Sequence, residues 1–226
     1  MPYPEVSDVR YFQNKLIEEE LAYDTNELTH INLYTEQKMT HEQRSVFDEI
    51  LNAVITDSDG FYFVYGYRGC GKAFIWNELS SAIRSRGKII LNVASSGIAS
   101  LLLPGGRTDN SRFSTPITIT DESTCNIKHG SLKAELFIQS SLIIWDEAPM
   151  LNKMCSKALD RTIRDLMSVA NQHKHNNHLV ILNVGNENIG STVGDESEVN
   201  ILDDQLITTV DDPFYHLVDF AYLDLL

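Results

Sequence analysis

Apolar positions along the chain change their period several times, and each change marks a predicted element. Thr40-His41-Glu42-Gln43 is a capping-type helix start, and Val46, Phe47, Ile50, Leu51 and Val54 then fall on one helical face. Asp57-Ser58-Asp59-Gly60 reads as a turn. Residues 61–65 form an apolar run of strand length, 66–71 a glycine-rich loop, and a helix runs from Lys72 to about Arg86, where Gly87 ends it. A second strand is expected over 88–94 and a short helix over 96–103, stopped by Pro104-Gly105-Gly106. A loop-rich stretch leads to a helix over 132–139, a third strand over 142–145 and a helix over about 152–169. In that last helix Cys155, Leu159, Ile163, Leu166 and Met167 recur at helical spacing. Residues 179–184 supply one more short apolar run, read as a further strand. No internal repeat or low-complexity tract interrupts the pattern.

Strand, loop and helix in succession predict an α/β fold with a mainly parallel sheet covered on both faces. Right-handed crossovers then place the loops after the strands along one carboxyl edge, where ligands bind. Outside this core, residues 1–39 are polar and acidic, with Glu18-Glu19-Glu20 in a helix expected to start near Val9 and read as a solvated face. Residues 185–226 read as an irregular acidic tail. The expected organisation is an acidic helical extension over 1–39, an α/β lobe over 40–184 and the tail over 185–226.

Charge sharpens that division. The 226 residues carry 18 Lys+Arg and 32 Asp+Glu, a net charge of −14. Residues 1–60 hold 13 acids and 4 bases, net −9, and residues 175–226 hold 10 acids and no Lys or Arg, net −10. Between them, residues 61–174 hold 9 acids and 14 bases, net +5. A basic centre is compatible with an anionic ligand or a nucleic acid despite the acidic total. The first residues lack the charged and apolar regions of a signal peptide, and no apolar run approaches the roughly 18 residues a membrane helix needs. Cys70, Cys125 and Cys155 are an odd set without CxxC spacing, so neither a disulfide framework nor a zinc site is expected. A soluble protein of a reducing compartment is the economical reading. His173, His175 and His178 form a His-rich patch without acidic or Cys partners at metal spacing and read as a solvated loop.

Candidate chemistry sits at two strand ends. Gly66-Tyr67-Arg68-Gly69-Cys70-Gly71-Lys72-Ala73 matches G-x-x-x-x-G-K and departs only at its last position, where Ser or Thr is expected. Its glycines let consecutive backbone N–H groups turn inward onto phosphate oxygens, the helix start adds partial positive charge, and Lys72 reaches the β/γ-phosphates. The hydroxyl missing at Ala73 would ligate Mg²⁺. Water can fill that position, so binding of a nucleotide is expected to survive better than its turnover. Leu142-Ile143-Ile144-Trp145-Asp146-Glu147-Ala148-Pro149 is an apolar strand ending in two carboxylates. Neighbouring strand residues face opposite ways, so the expected division is Asp146 toward Mg²⁺ and Glu147 polarising the attacking water.

The stretch Ala94-Ser95-Ser96-Gly97-Ile98-Ala99-Ser100-Leu101-Leu102-Leu103-Pro104-Gly105-Gly106-Arg107-Thr108, taken with these two motifs, closely resembles the PIF-type DNA helicases of plants and of Helitron transposons. The similarity runs through about residues 1–167 and includes Ser123-Thr124-Cys125-Asn126-Ile127. The resemblance implies a P-loop NTPase lobe of the RecA-like kind, ATP and Mg²⁺ as cofactors, 5′-to-3′ movement on single-stranded DNA and a nuclear location. It places Gln43 where these helicases contact adenine, and Ser96, Gly97 and the segment from Arg107 to Phe113, Ser111 and Arg112 among them, where they contact the DNA backbone. Small hydroxylic residues and backbone N–H at a helix start suit phosphate, and Arg107 and Arg112 add charge; for these two arginines a solvated loop is the alternative. Phe113 reads as a core aromatic in preference to a base-stacking one. Beside Ala73, the chain departs from the resemblance at Asn110, where these helicases have His, and in lacking a strand ending Gly-Asp-Phe-Arg-Gln after the acidic strand. Residues 182–190 and 203–207 instead resemble a segment lying much further along. An internal block is therefore expected to be missing, and the chain to stop before a second lobe.

Overall fold

A computed structural model describes residues 14–57, 60–66, 71–146, 153–170, 179–185 and 206–208. Among these residues, six strands form one sheet in the order β3-β2-β4-β5-β1-β6. They are β1 (Gly60–Gly66), β2 (Ile89–Ala94), β3 (Arg107–Thr108), β4 (Ser140–Asp146), β5 (Leu179–Gly185) and β6 (Leu206–Thr208). Five run parallel, and β6 pairs antiparallel with β1 at the edge. The tail expected to be irregular thus contributes a strand, because the open edge of β1 offers unpaired N–H and C=O groups. The helices are α1 (Lys15–Leu21), α2 (Thr25–Thr35), α3 (His41–Ile55), α4 (Lys72–Arg84), α5 (Gly97–Ser100), α6 (Asp109–Phe113), α7 (Leu132–Gln139) and α8 (Lys153–Ala170).

The sheet separates two apolar clusters, as alternating strand faces require. On one side α3 and α4 bury Phe47, Ile50, Ile75, Trp76, Leu79 and Ile83 against Ile90, Leu142 and Ile144. On the other, Phe113, Leu136, Phe137, Ala158 and Leu159 cover Leu91, Val93, Ile143 and Trp145. Phe113 is fully buried and meets the Trp145 ring edge-on, with centroids 4.9 Å apart. It is a core aromatic.

α3 begins as its sequence predicts. Gln43 N–H donates to Thr40 Oγ1 over 3.3 Å, and Thr40 N–H donates to Gln43 Oε1 over 3.1 Å, a complete capping box. α1 starts at Lys15, capped by Asn14, and Val9 lies outside the described residues. The acidic run on α1 divides: Glu18 and Glu19 are exposed, whereas Glu20 is buried. The reading of this run as a solvated face is corrected for Glu20, which turns inward because two buried guanidinium groups await it. No described helix is long and apolar enough to cross a membrane. The described cysteines, Cys125 and Cys155, are buried free thiols, and burial pushes Cys125 up to about 11.

Candidate functional site

The phosphate-loop motif leaves β1 at Gly66 and enters α4 at Gly71; Tyr67, Arg68, Gly69 and Cys70 lie outside the described residues. Gly71 caps α4 with φ +83°, a left-handed conformation that glycine adopts without steric cost. A Cβ there would also overlap the Gln43 side-chain amide, which would have to move aside. Gln43 and the end of the phosphate loop, 28 positions apart in sequence, are therefore in direct contact. The capping box that fixes the Gln43 carbonyl oxygen on Thr40 turns its amide nitrogen toward Gly71. Lys72 is half-buried at the first position of α4, Ala73 is exposed beside it, and Ile75 N–H closes the first turn on Gly71 O over 3.2 Å. Unpaired N–H groups of such a first turn favour an anion.

β4 carries Asp146 to the same place. Its Oδ1 accepts the indole N–H of Trp76, one turn along α4, over 3.3 Å. A half-buried carboxylate thus rests beside the first turn of the helix that Lys72 opens. Glu147 lies outside the described residues, and so do His173, His175 and His178. The donor set suits Mg²⁺: Asp146 provides one hard carboxylate oxygen site, the Ala73 methyl provides none, and water completes such a shell.

Ala94, the last residue of β2, stands opposite Asp146 of β4 on one side and Thr108 of β3 on the other. The residues expected to face a strand therefore share the carboxyl edge with Asp146. Ser96 and Gly97 are exposed at the start of α5, where the Ser96 hydroxyl accepts Ala99 N–H over 3.1 Å. Ser111 is exposed on α6, and its N–H donates to Thr108 Oγ1 over 3.4 Å. Arg107 is 48% exposed and lies 3.6 Å from Glu19. Arg112 is different. Its side chain is 5% exposed, and its guanidinium donates to Glu20 Oε1 over 2.7 Å. The placement of Arg112 on the DNA backbone is corrected: the fold uses its charge internally, because α1 covers it and supplies the counter-ion.

A family model described as PIF1-like helicase matches residues 38–197. The chain belongs to the PIF1-like helicase family. Its match begins just before the capping box of α3 and takes in every described part of the phosphate loop and acidic strand. No curated protein matches at a significant level. Among solved structures, a complex of two coordinating Pif1 helicases unwinding forked duplex DNA is 27% identical, with a TM-score of 0.49 over 64% of this chain and 33% of that one. Bacteroides Pif1 bound to single-stranded DNA is 26% identical, with a TM-score of 0.49 over 64% of this chain and 31% of its own. Bacteroides Pif1 with ADP-AlF4 is 27% identical, with a TM-score of 0.48 and the same coverage, 64% and 31%. This member of the family spans about a third of the length of the solved relatives it matches.

Several residues that shape the PIF1-like site escape a sequence reading. Asn92, fully buried in β2, donates to Ser80 Oγ over 2.8 Å and to Pro104 O over 2.9 Å, fastening the Pro104-Gly105-Gly106 turn to α4. Trp76 looks like one more apolar position on an amphipathic helix, and Glu20 like one acid of three. A polar residue inside an otherwise apolar strand was the one available signal, and it belongs to Asn92.

Proposed function

We propose that this chain is the nucleotide-binding lobe of an ATP-dependent DNA helicase of the plant and Helitron kind, acting 5′-to-3′ on single-stranded DNA in the nucleus, in DNA repair, recombination or telomere maintenance. The observation that carries the reading is the convergence of Gln43, Gly71, Lys72 and Asp146 at the start of α4, within the span of the family match. Gln43 is assigned to the adenine, the backbone from Gly66 to Ala73 with Gly69, Cys70 and Gly71 to the phosphates, and Lys72 to the β/γ-phosphates. Asp146 would hold Mg²⁺, which when bound neutralises charge developing on the phosphate oxygens. Glu147 is assigned the attacking water, whose proton it accepts. Ser96, Gly97, Arg107 and Ser111 are assigned to phosphates of the strand.

Binding is expected to outlast turnover, and Ala73 is the reason. Its exposed methyl occupies the place of a hydroxyl that would otherwise ligate the cation. A nucleotide- and strand-binding protein without motor activity is the second reading, favoured by this one position. The β5 slot supports it as well. β5 lies between β4 and β1, and it ends at Gly185 with Asn186-Glu187-Asn188 following, where the resemblance calls for Gly-Asp-Phe-Arg-Gln. A missing internal block accounts for that substitution, and the transcript spanning residues 165–190 tests it.

The deciding measurement is thermal stabilisation by ATP with Mg²⁺. The unmutated chain should be stabilised and Lys72→Ala should not; absence of stabilisation in the unmutated chain sinks both readings. Strand displacement on forked DNA in a single turnover then separates them, because only a motor opens duplex at about 1.4 kcal/mol per base-pair step.

A further inference from the structure

Glu20 is a single carboxylate serving two buried guanidinium groups that belong to different parts of the lobe. Its Oε1 accepts from Arg112 Nη2 over 2.7 Å and its Oε2 from Arg84 Nη2 over 3.5 Å. Arg112 lies on α6, inside the exposed-edge segment that starts at Arg107. Arg84 is the last residue of α4, the helix that opens at Lys72. All three side chains are nearly excluded from solvent, at 8%, 5% and 3% exposure for Glu20, Arg112 and Arg84.

Elsewhere the segment from Arg107 to Phe113 is held at its backbone and its ends: Lys133 Nζ donates to Ser111 O over 3.0 Å and to Ser114 Oγ over 2.7 Å. β3 is two residues long and pairs only with Val93 and Ala94. Phe113 anchors one end in the core, and the Pro104-Gly105-Gly106 turn anchors the other. Gly105, at φ +65°, has the left-handed backbone that favours glycine, and a Cβ there would come within 2.6 Å of Tyr23 Oη and 2.9 Å of Arg84 Nη2. Tyr23 in turn lies under the Arg84 guanidinium, 4.1 Å from ring centroid to Cζ. Between those anchors, Arg112 is held by Glu20. The helix presenting Glu20 is itself pinned at its start, where Asn14 Nδ2 donates to Leu132 O over 2.7 Å and to Glu135 Oε2 over 3.0 Å. A carboxylate that merely filled space would be replaceable by an apolar residue. This one has two separately directed oxygens on two rigid planar forks, which sets orientation as well as contact.

We propose that Glu20 is a positioning residue that holds the segment from Arg107 to Phe113 in a fixed place against α4, so that Arg107 and Ser111 are presented together at the carboxyl edge. The functional half of this inference rests on the reading that the edge faces a single strand.

Amide hydrogen exchange on the full chain, paired with oligo-dT binding at fixed salt, tests it. In Glu20→Gln, exchange over residues 106–114 should rise tenfold or more while the amides of residues 142–145 keep their rates. Oligo-dT affinity should fall at least fivefold with ATP-dependent stabilisation retained. Glu20→Asp, which keeps the charge on a shorter arm, should fall between the two, and it decides the matter if the Gln variant does not fold. Unchanged exchange over 106–114 overturns the proposal, and so does an equal rise over 142–145, the signature of a general loss of stability. If the unmutated chain binds no oligo-dT, the strand reading fails, while the exchange pattern still decides whether Glu20 positions the segment.

Discussion

Trp76 on α4 donates its indole N–H to Asp146 at the end of β4, over 3.3 Å. Trp76 is fully buried, so its ring cannot follow a moving carboxylate, and Asp146 is oriented from behind by the helix that Lys72 opens. Partners of this kind tune a metal-binding carboxylate by roughly 10–100-fold in affinity. In Trp76→Phe the Mg²⁺ concentration needed for half-maximal ATP-dependent stabilisation should rise by about tenfold, with nucleotide binding in EDTA unchanged. An equal loss in both conditions would show that Trp76 shapes the pocket without orienting Asp146.

The two arginines of one segment should behave oppositely. Arg112→Ala removes one partner of a buried pair and should cost about 3–5 kcal/mol of stability, measured by urea unfolding. Arg107→Ala breaks an exposed pair with Glu19 and should cost no more than about 1 kcal/mol. It should instead lower the salt dependence of oligo-dT binding by about 0.7 in the log–log slope, one phosphate contact on a single strand. A stable Arg112→Ala protein would contradict the burial assigned to that side chain.

Ala73 is exposed on the first turn of α4. Ala73→Thr should raise ATPase turnover by at least roughly tenfold, about 1.4 kcal/mol of transition-state stabilisation. Turnover that stays at background in this variant places the limitation elsewhere in the lobe.

Glu78 gives a pH dependence with a definite sign. Burial on α4 raises its carboxyl above the ordinary 4.5, and the Thr35 hydroxyl bonded to it opposes that rise without cancelling it. The unfolded chain therefore releases this proton at lower pH than the folded one, and stability falls as pH rises through the folded value. Glu78→Gln should unfold at a higher temperature than the unmutated chain at pH 7, with the gap closing near pH 4. A gap independent of pH would mean that Glu78 is not the titrating group.

Sequence periodicity determined α3, β1, α4, β2, α7, β4, α8 and β5 in their order, whereas β3, α6 and β6 fall in stretches that read as loop or tail. The limits of α7 and the capping of α3 coincide with the pattern because both depend on neighbouring residues alone. The phosphate loop and acidic strand were legible for the same reason: each is a short run whose chemistry lies in its own side chains and backbone. Glu20, Asn92, Trp76 and the inward turn of Arg112 were not legible. Each acts on a partner 12 to 92 positions away, and a charged residue in a helix reads identically whether water or a buried counter-ion receives it. Only packing of α1 over the sheet edge decided that Arg112 is sealed in while Arg107 stays in solvent. Only the meeting of α3 with the start of α4 put Gln43 onto Gly71, because burial, unlike periodicity, depends on what the rest of the chain brings alongside.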